Sequence, residues 1–155
     1  MLDELNETTQ QQNSSETLEQ RFDRERNEWK SKIDVLTTKM RDIYTCSEVL
    51  VEALNDRQIA LEYSHMLMNL LSKSNAKLRA AKKERYIYYS QEYDLKLDRQ
   101  PKEIFVDCDV SKQLLLQEMI DSHLKYMRST IDTIDKILYG CKWRIDLEQY
   151  KRDKN

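Results

Sequence analysis

One glycine and one proline, Gly140 and Pro101, serve all 155 residues of the chain. Tight turns draw on glycine for positive φ and on proline for a preset φ, so a chain this short of both can hardly make many strands and hairpins. The expected fold class is all-α. Composition agrees: 35% charged against 39% hydrophobic residues leaves little for a thick core and suits narrow apolar seams on long helices.

The apolar residues fall on a seven-residue repeat. One line holds Ile33, Met40, Ser47, Leu54, Leu61, Met68 and Asn75, and the other Phe22, Trp29, Leu36, Ile43, Leu50, Arg57, Ser64, Leu71 and Leu78. Alternating spacings of three and four keep such residues on one helix face, and a sustained repeat favours supercoiled packing. Ser47, Arg57 and Ser64 interrupt the seam and mark a bend or the place where a third helix packs. Val49, Val51, Ile59 and Leu67 widen the apolar surface beyond a two-stranded seam. A second run holds Leu116, Ile120, Leu124, Met127, Ile131, Ile134, Leu138, Cys141 and Ile145. Gly140 lies inside it, and because Cys141 and Ile145 keep the register, a continuous or slightly kinked helix is expected.

These patterns predict a polar, disordered tail over 1–13, a helix over about 14–92, a connector over 93–108, a helix over about 109–150, and a solvated tail at 153–155. Asn13 and Glu16 have the spacing of a capping pair for the first helix. Pro101 and its constraint on Gln100 require that helix to have ended, and Asp107 and Asp109 are candidate caps of the second. Residues 14–152 would form one unit, an antiparallel helical hairpin with coiled-coil-like seams. Within one chain neither helix finds a wide enough partner. A homo-oligomer is therefore expected, held through Leu50, Leu54, Leu61, Leu71, Leu124, Ile131 and Leu138.

Three scattered cysteines, Cys46, Cys108 and Cys141, argue for a reducing compartment rather than a disulfide framework. The opening MLDELNETTQQQNSS has no charged-then-apolar leader, and no run is long enough to span a bilayer. The expectation is a soluble intracellular protein without membrane contact.

Catalytic constellations are weak. His65 and His123 have no partner at metal-ligand spacing, there is no CxxC, and one glycine cannot build a phosphate loop. Asp132 and Asp135 read as surface charge, and Met66 and Met68 as core filler. No enzyme activity, metal or cofactor is expected.

The net charge of −2 conceals segregation. Residues 1–72 carry 8 basic and 14 acidic side chains, whereas residues 73–90 carry 6 and 1. Within the latter, KLRAAKKERYIYYSQEY crowds Lys77, Arg79, Lys82, Lys83 and Arg85 ahead of Tyr86, Tyr88, Tyr89 and Tyr93. On a helix Arg79, Lys82, Tyr86, Tyr89 and Tyr93 form one stripe that prolongs the seam of Leu71 and Leu78. Cations neutralise phosphates, and aromatic faces stack on unpaired bases whatever the sequence, which together suit single-stranded nucleic acid. A solvated basic face whose tyrosines pack against the second helix fits the same residues.

The segment KKERYIYYSQ resembles the signature of the UvsY recombination mediators of tailed phages, Lys-x-Arg/Lys followed by Tyr-Tyr-Ser/Thr-Gly. Lys83, Arg85, Tyr88, Tyr89 and Ser90 fall on it, and Gln91 stands where the family usually has glycine. VDCDVSKQ resembles the family's Asp-rich helix start, and GCKWRIDLEQYKR its closing segment, with Gly140 and Arg144 in matching places. The resemblance spans roughly residues 40–152. It implies a small helical protein that forms a ring-like homo-oligomer and binds single-stranded DNA, with Lys83 and Arg85 as contacts. It further implies a role in DNA recombination, repair and replication: loading a phage recombinase onto strands covered by single-strand-binding protein, in the host cytoplasm. The rival reading is a coiled-coil scaffold or assembly protein whose basic patch meets an acidic protein segment.

Overall fold

The computed structural model describes residues 16–154, which hold four α-helices and no strand. Helix α1 spans Leu18–Lys39, α2 Cys46–Gln91, α3 Arg99–Asp109 and α4 Ser111–Asp153, with a 3₁₀ turn at Ile43–Thr45. The all-α expectation holds.

Helix α1 opens on a capping box: Thr17 accepts from the Gln20 amide at 3.3 Å, and the Gln20 side chain accepts from the Thr17 amide at 3.0 Å. Asn13 of the expected cap lies outside the described residues. Its partner Glu16 instead pairs with Arg24 at 3.1 Å.

The single helix expected over 14–92 is two, broken at residues 40–45. Neither glycine nor proline makes the break. The Asp42 carboxylate accepts from the Tyr44 amide at 3.0 Å, and the Thr45 hydroxyl reaches the Lys39 and Asp42 carbonyls. Arg144 of α4 donates to the Met40 carbonyl and, at 2.8 Å, to that of Arg41. Side chains thus satisfy the acceptors that a helix end leaves open.

The chain then doubles back, so that Lys39 pairs with Glu52 at 2.7 Å and Lys32 with Asp56 at 3.0 Å. Helices α2 and α4 also meet in opposite senses: Arg57 pairs with Asp135, and further along α2 the Met68 sulfur accepts from Arg128 at 3.3 Å. At 46 residues and about 1.5 Å per residue, α2 is about 70 Å long. Helix α1 covers its first half, α4 runs antiparallel along it past the midpoint, and α3 covers its last turns.

The core combines Phe22, Trp29 and Leu36 of α1, seven residues apart, with Cys46, Val49, Ala53, Ala60 and Leu67 of α2. Helix α4 adds Ile120, Leu124, Met127, Ile131, Ile134, Ile137 and Cys141. The buried line of α2 therefore runs through its alanines, and Leu54, expected in the seam, is 56% exposed. Leu124 and Ile131 are buried by the chain itself, so their burial needs no second copy. Leu50, Leu61, Leu71 and Leu138 are half-buried at the margin of this core.

Helix α4 runs unbroken through Gly140. A Cβ there would stand 3.1 Å from the Met40 terminal methyl, so glycine lets the end of α1 come close.

The connector expected over 93–108 is shortened by α3. Pro101 sits in the first turn of α3, where a missing amide hydrogen leaves no bond unmade. Asp107 and Asp109 close α3 instead of capping α4, whose first turn follows Val110 without a side-chain cap. Among the described residues no helix is long and apolar enough to cross a membrane.

Candidate nucleic-acid interface

The basic and tyrosine-rich stretch forms the last four turns of α2, and the helix sorts it into two faces. One carries Arg79 and Lys83, both exposed, then Tyr86, 42% exposed. Lys77 is exposed on another side, and none of these three cations lies within ion-pair distance of a carboxylate among the described residues.

The other face meets α3. Lys82 pairs with Asp107 at 2.8 Å and Arg85 with Asp109 at 2.7 Å. The Tyr89 hydroxyl donates to the same Asp109 carboxylate at 2.8 Å. Hydrogen bonds from Tyr89 and Arg85 hold the Asp109 carboxyl below its ordinary range, and Asp109 in turn raises both partners. Phe105 stacks on Tyr89 with centroids 5.7 Å apart and planes at 27°. Tyr88 and Tyr93 both pack edgewise on Tyr89, with Arg85 over the Tyr88 ring at 5.1 Å. Between the faces runs a groove of about 480 Å³ lined by Lys82, Lys83, Tyr86, Glu103, Val106 and Asp107. Lys102 reaches over Tyr86 at 5.1 Å.

The stripe expected to present Arg79, Lys82, Tyr86, Tyr89 and Tyr93 together is thus divided. Lys82 and Tyr89 face α3 and Arg79 stays on the open side, whereas Tyr86 lies at the boundary, partly exposed with Lys102 of α3 over its ring. Of the residues that complete the site, Phe105 and Asp107 come from the segment expected to be a connector and Asp109 from the expected start of the second helix. Charge was the signal that could have found them, since acidic residues follow the basic block directly.

Among the described residues no group of three or more His, Cys, Asp and Glu is placed to hold a metal ion. His65 is exposed. His123 is fully buried, its Nε2 3.0 Å from Glu25, and Phe22 stacks on its ring at 4.1 Å. Tyr63 and Arg21 also donate to Glu25, the latter at 2.9 Å. Burial alone would raise the Glu25 carboxyl, but hydrogen bonds from His123, Tyr63 and Arg21 bring it down to about 2. This cluster ties α1 to α2 and α4 and has no solvent-facing imidazole to offer a substrate. Cys46 and Cys141 are buried side by side, where burial and the neighbouring thiol push Cys141 up to about 11.

Compared with protein-family models, curated proteins and solved structures, the chain matches none.

Proposed function

We propose that the chain binds single-stranded DNA through the last turns of α2 and acts, without catalysis of its own, as a recombination mediator. The observation that carries this reading is the exposed run of Arg79, Lys83 and Tyr86, two cations without a carboxylate on them among the described residues and a partly exposed ring at helical spacing, with the further cation Lys102 over that ring. Phosphates take the cations and an unpaired base takes the ring. Duplex DNA, with its bases stacked inside, offers the ring nothing. The resemblance of KKERYIYYSQ to the UvsY signature supports the further step, in which copies in a ring-like homo-oligomer organise a strand on which a recombinase nucleates in place of single-strand-binding protein. Leu54, exposed beside half-buried Leu50 and Leu61, supports assembly through coiled-coil-like contacts between copies. Such a protein would work in the host cytoplasm.

A labelled oligothymidine titrated across a range of salt tests the reading. The expected result is a preference for the single strand over duplex. Replacing Lys77, Arg79 and Lys83 by alanine should flatten the log–log salt dependence by about 2, at about 0.7 per phosphate released. Equal affinity for duplex and single strand, or an unchanged slope in the triple variant, counts against it. A second reading has an observation of its own: Lys82 and Arg85 already hold carboxylates, as a scaffold docking an acidic segment would require. An acidic peptide that binds where the oligonucleotide does not would favour that alternative.

A further inference from the structure

We infer that α3 is a displaceable cover whose side chains occupy the places of a bound strand, so that single-stranded DNA competes with it for Lys82, Arg85 and Tyr89. This rests on the reading of the α2 surface given above.

The chemistry of the cover matches that of the ligand group by group. Where phosphates would sit, Asp107 lies on Lys82 and Asp109 on Arg85. Where a base would stack, Phe105 lies nearly parallel to the Tyr89 ring. The cover is also lightly held. Val106 is its one buried side chain, while Ile104 and Phe105 remain exposed although they are large and apolar. Its two ion pairs are exposed, so salt screens them and each contributes little. A helix with few buried apolar contacts opens at low cost. Flanking it are the irregular residues 92–98 and the single non-helical residue Val110, which is buried and serves as the pivot. Lys77, Arg79 and Lys83 are exposed and make no ion pair with the cover, although Lys83 borders the groove beside it, and they give a strand its first footing without any movement. Binding then proceeds in two stages, a salt-sensitive contact with the open cations followed by displacement of α3, which adds two cations and the Tyr89 face.

The full chain tests this with Asp107→Asn/Asp109→Asn, which weakens the cover. An Asp34→Asn/Asp132→Asn control makes the same change in net charge far from the site. Oligothymidine should bind the first variant about tenfold more tightly than the control, since each exposed pair removed is worth up to a factor of about five. The salt slope should steepen by about 1.4, for two further phosphates at about 0.7 each. Hydrogen exchange on the parent gives a measurement that needs no variant: on adding oligothymidine, amides of 99–109 should exchange faster while those of 77–89 slow. If the parent binds in a Lys83-dependent way but Asp107→Asn/Asp109→Asn gains nothing over the control, or α3 gains protection, the cover is refuted and the binding surface stands. If neither parent nor variant binds the oligonucleotide, both readings fall.

Discussion

Glu25 shows how much one side chain can hold in so thin a protein. Its carboxylate receives Tyr63, His123 and Arg21 from α2, α4 and its own helix, and the fully buried His123 would otherwise be stranded among apolar neighbours. The folded carboxyl sits at about 2, against an ordinary value of 4.5. Because the folded value is the lower one, the stabilisation is complete above about pH 5 and drains away as the pH falls through 4.5 towards 2. Glu25→Gln should therefore unfold with a flatter acid limb and, at neutral pH, lose about 2–3 kcal/mol in urea titrations. An acid transition identical to the parent's would mean that another carboxylate governs it. Nothing in the sequence pointed to this cluster, because its four members are scattered over about 100 positions and only packing brings them together.

Within the elements, helix type was legible, and so was register in α1 and α4, but not in α2. The repeat through Phe22, Trp29 and Leu36 correctly marked the buried line of α1. In α2 the leucines at 50, 54 and 61 drew the seam one position away from its true course through Ala53, Ala60 and Leu67. Alanine adds little to a count of apolar residues, yet its small side chain lets two helices approach and is fully buried here. Leu67→Ala should cost about 2–5 kcal/mol by opening a cavity, whereas Leu54→Asp should shift the thermal midpoint of the dilute chain only slightly. Chemical denaturation of the two variants side by side decides the register. The break at 40–45 escaped notice because Asp42 and Thr45, not glycine or proline, build it. Helix α3 was hidden by Pro101, which reads as a stop but occupies a first turn. In the site itself, the cations and tyrosines were visible from composition alone, whereas their division into an open and a covered face depends on α3.

At the scale of the whole molecule, the two ends of α2 have different neighbours. The first half packs one side against α1 and α4 and leaves Val51, Leu54 and Ile59 exposed on another, and the last turns carry the candidate interface under a light cover. Self-association belongs to this scale: sedimentation at micromolar concentration should find an assembly, and Leu54→Asp should shift it towards single chains while leaving helicity intact. A compact monomer for the parent would remove the oligomer from the proposal. The clasp between Arg144 and the carbonyls of Met40 and Arg41 has a further consequence, for the chain as it is made. The donor is synthesised 103 residues after the later of its acceptors. At about 5–20 residues per second, the corner between α1 and α2 waits roughly 5–20 s for the group that closes it. Until then the nascent chain exposes the faces that α4 will cover, and a ribosome stalled short of Arg144 would release a product whose first corner stays open to proteases.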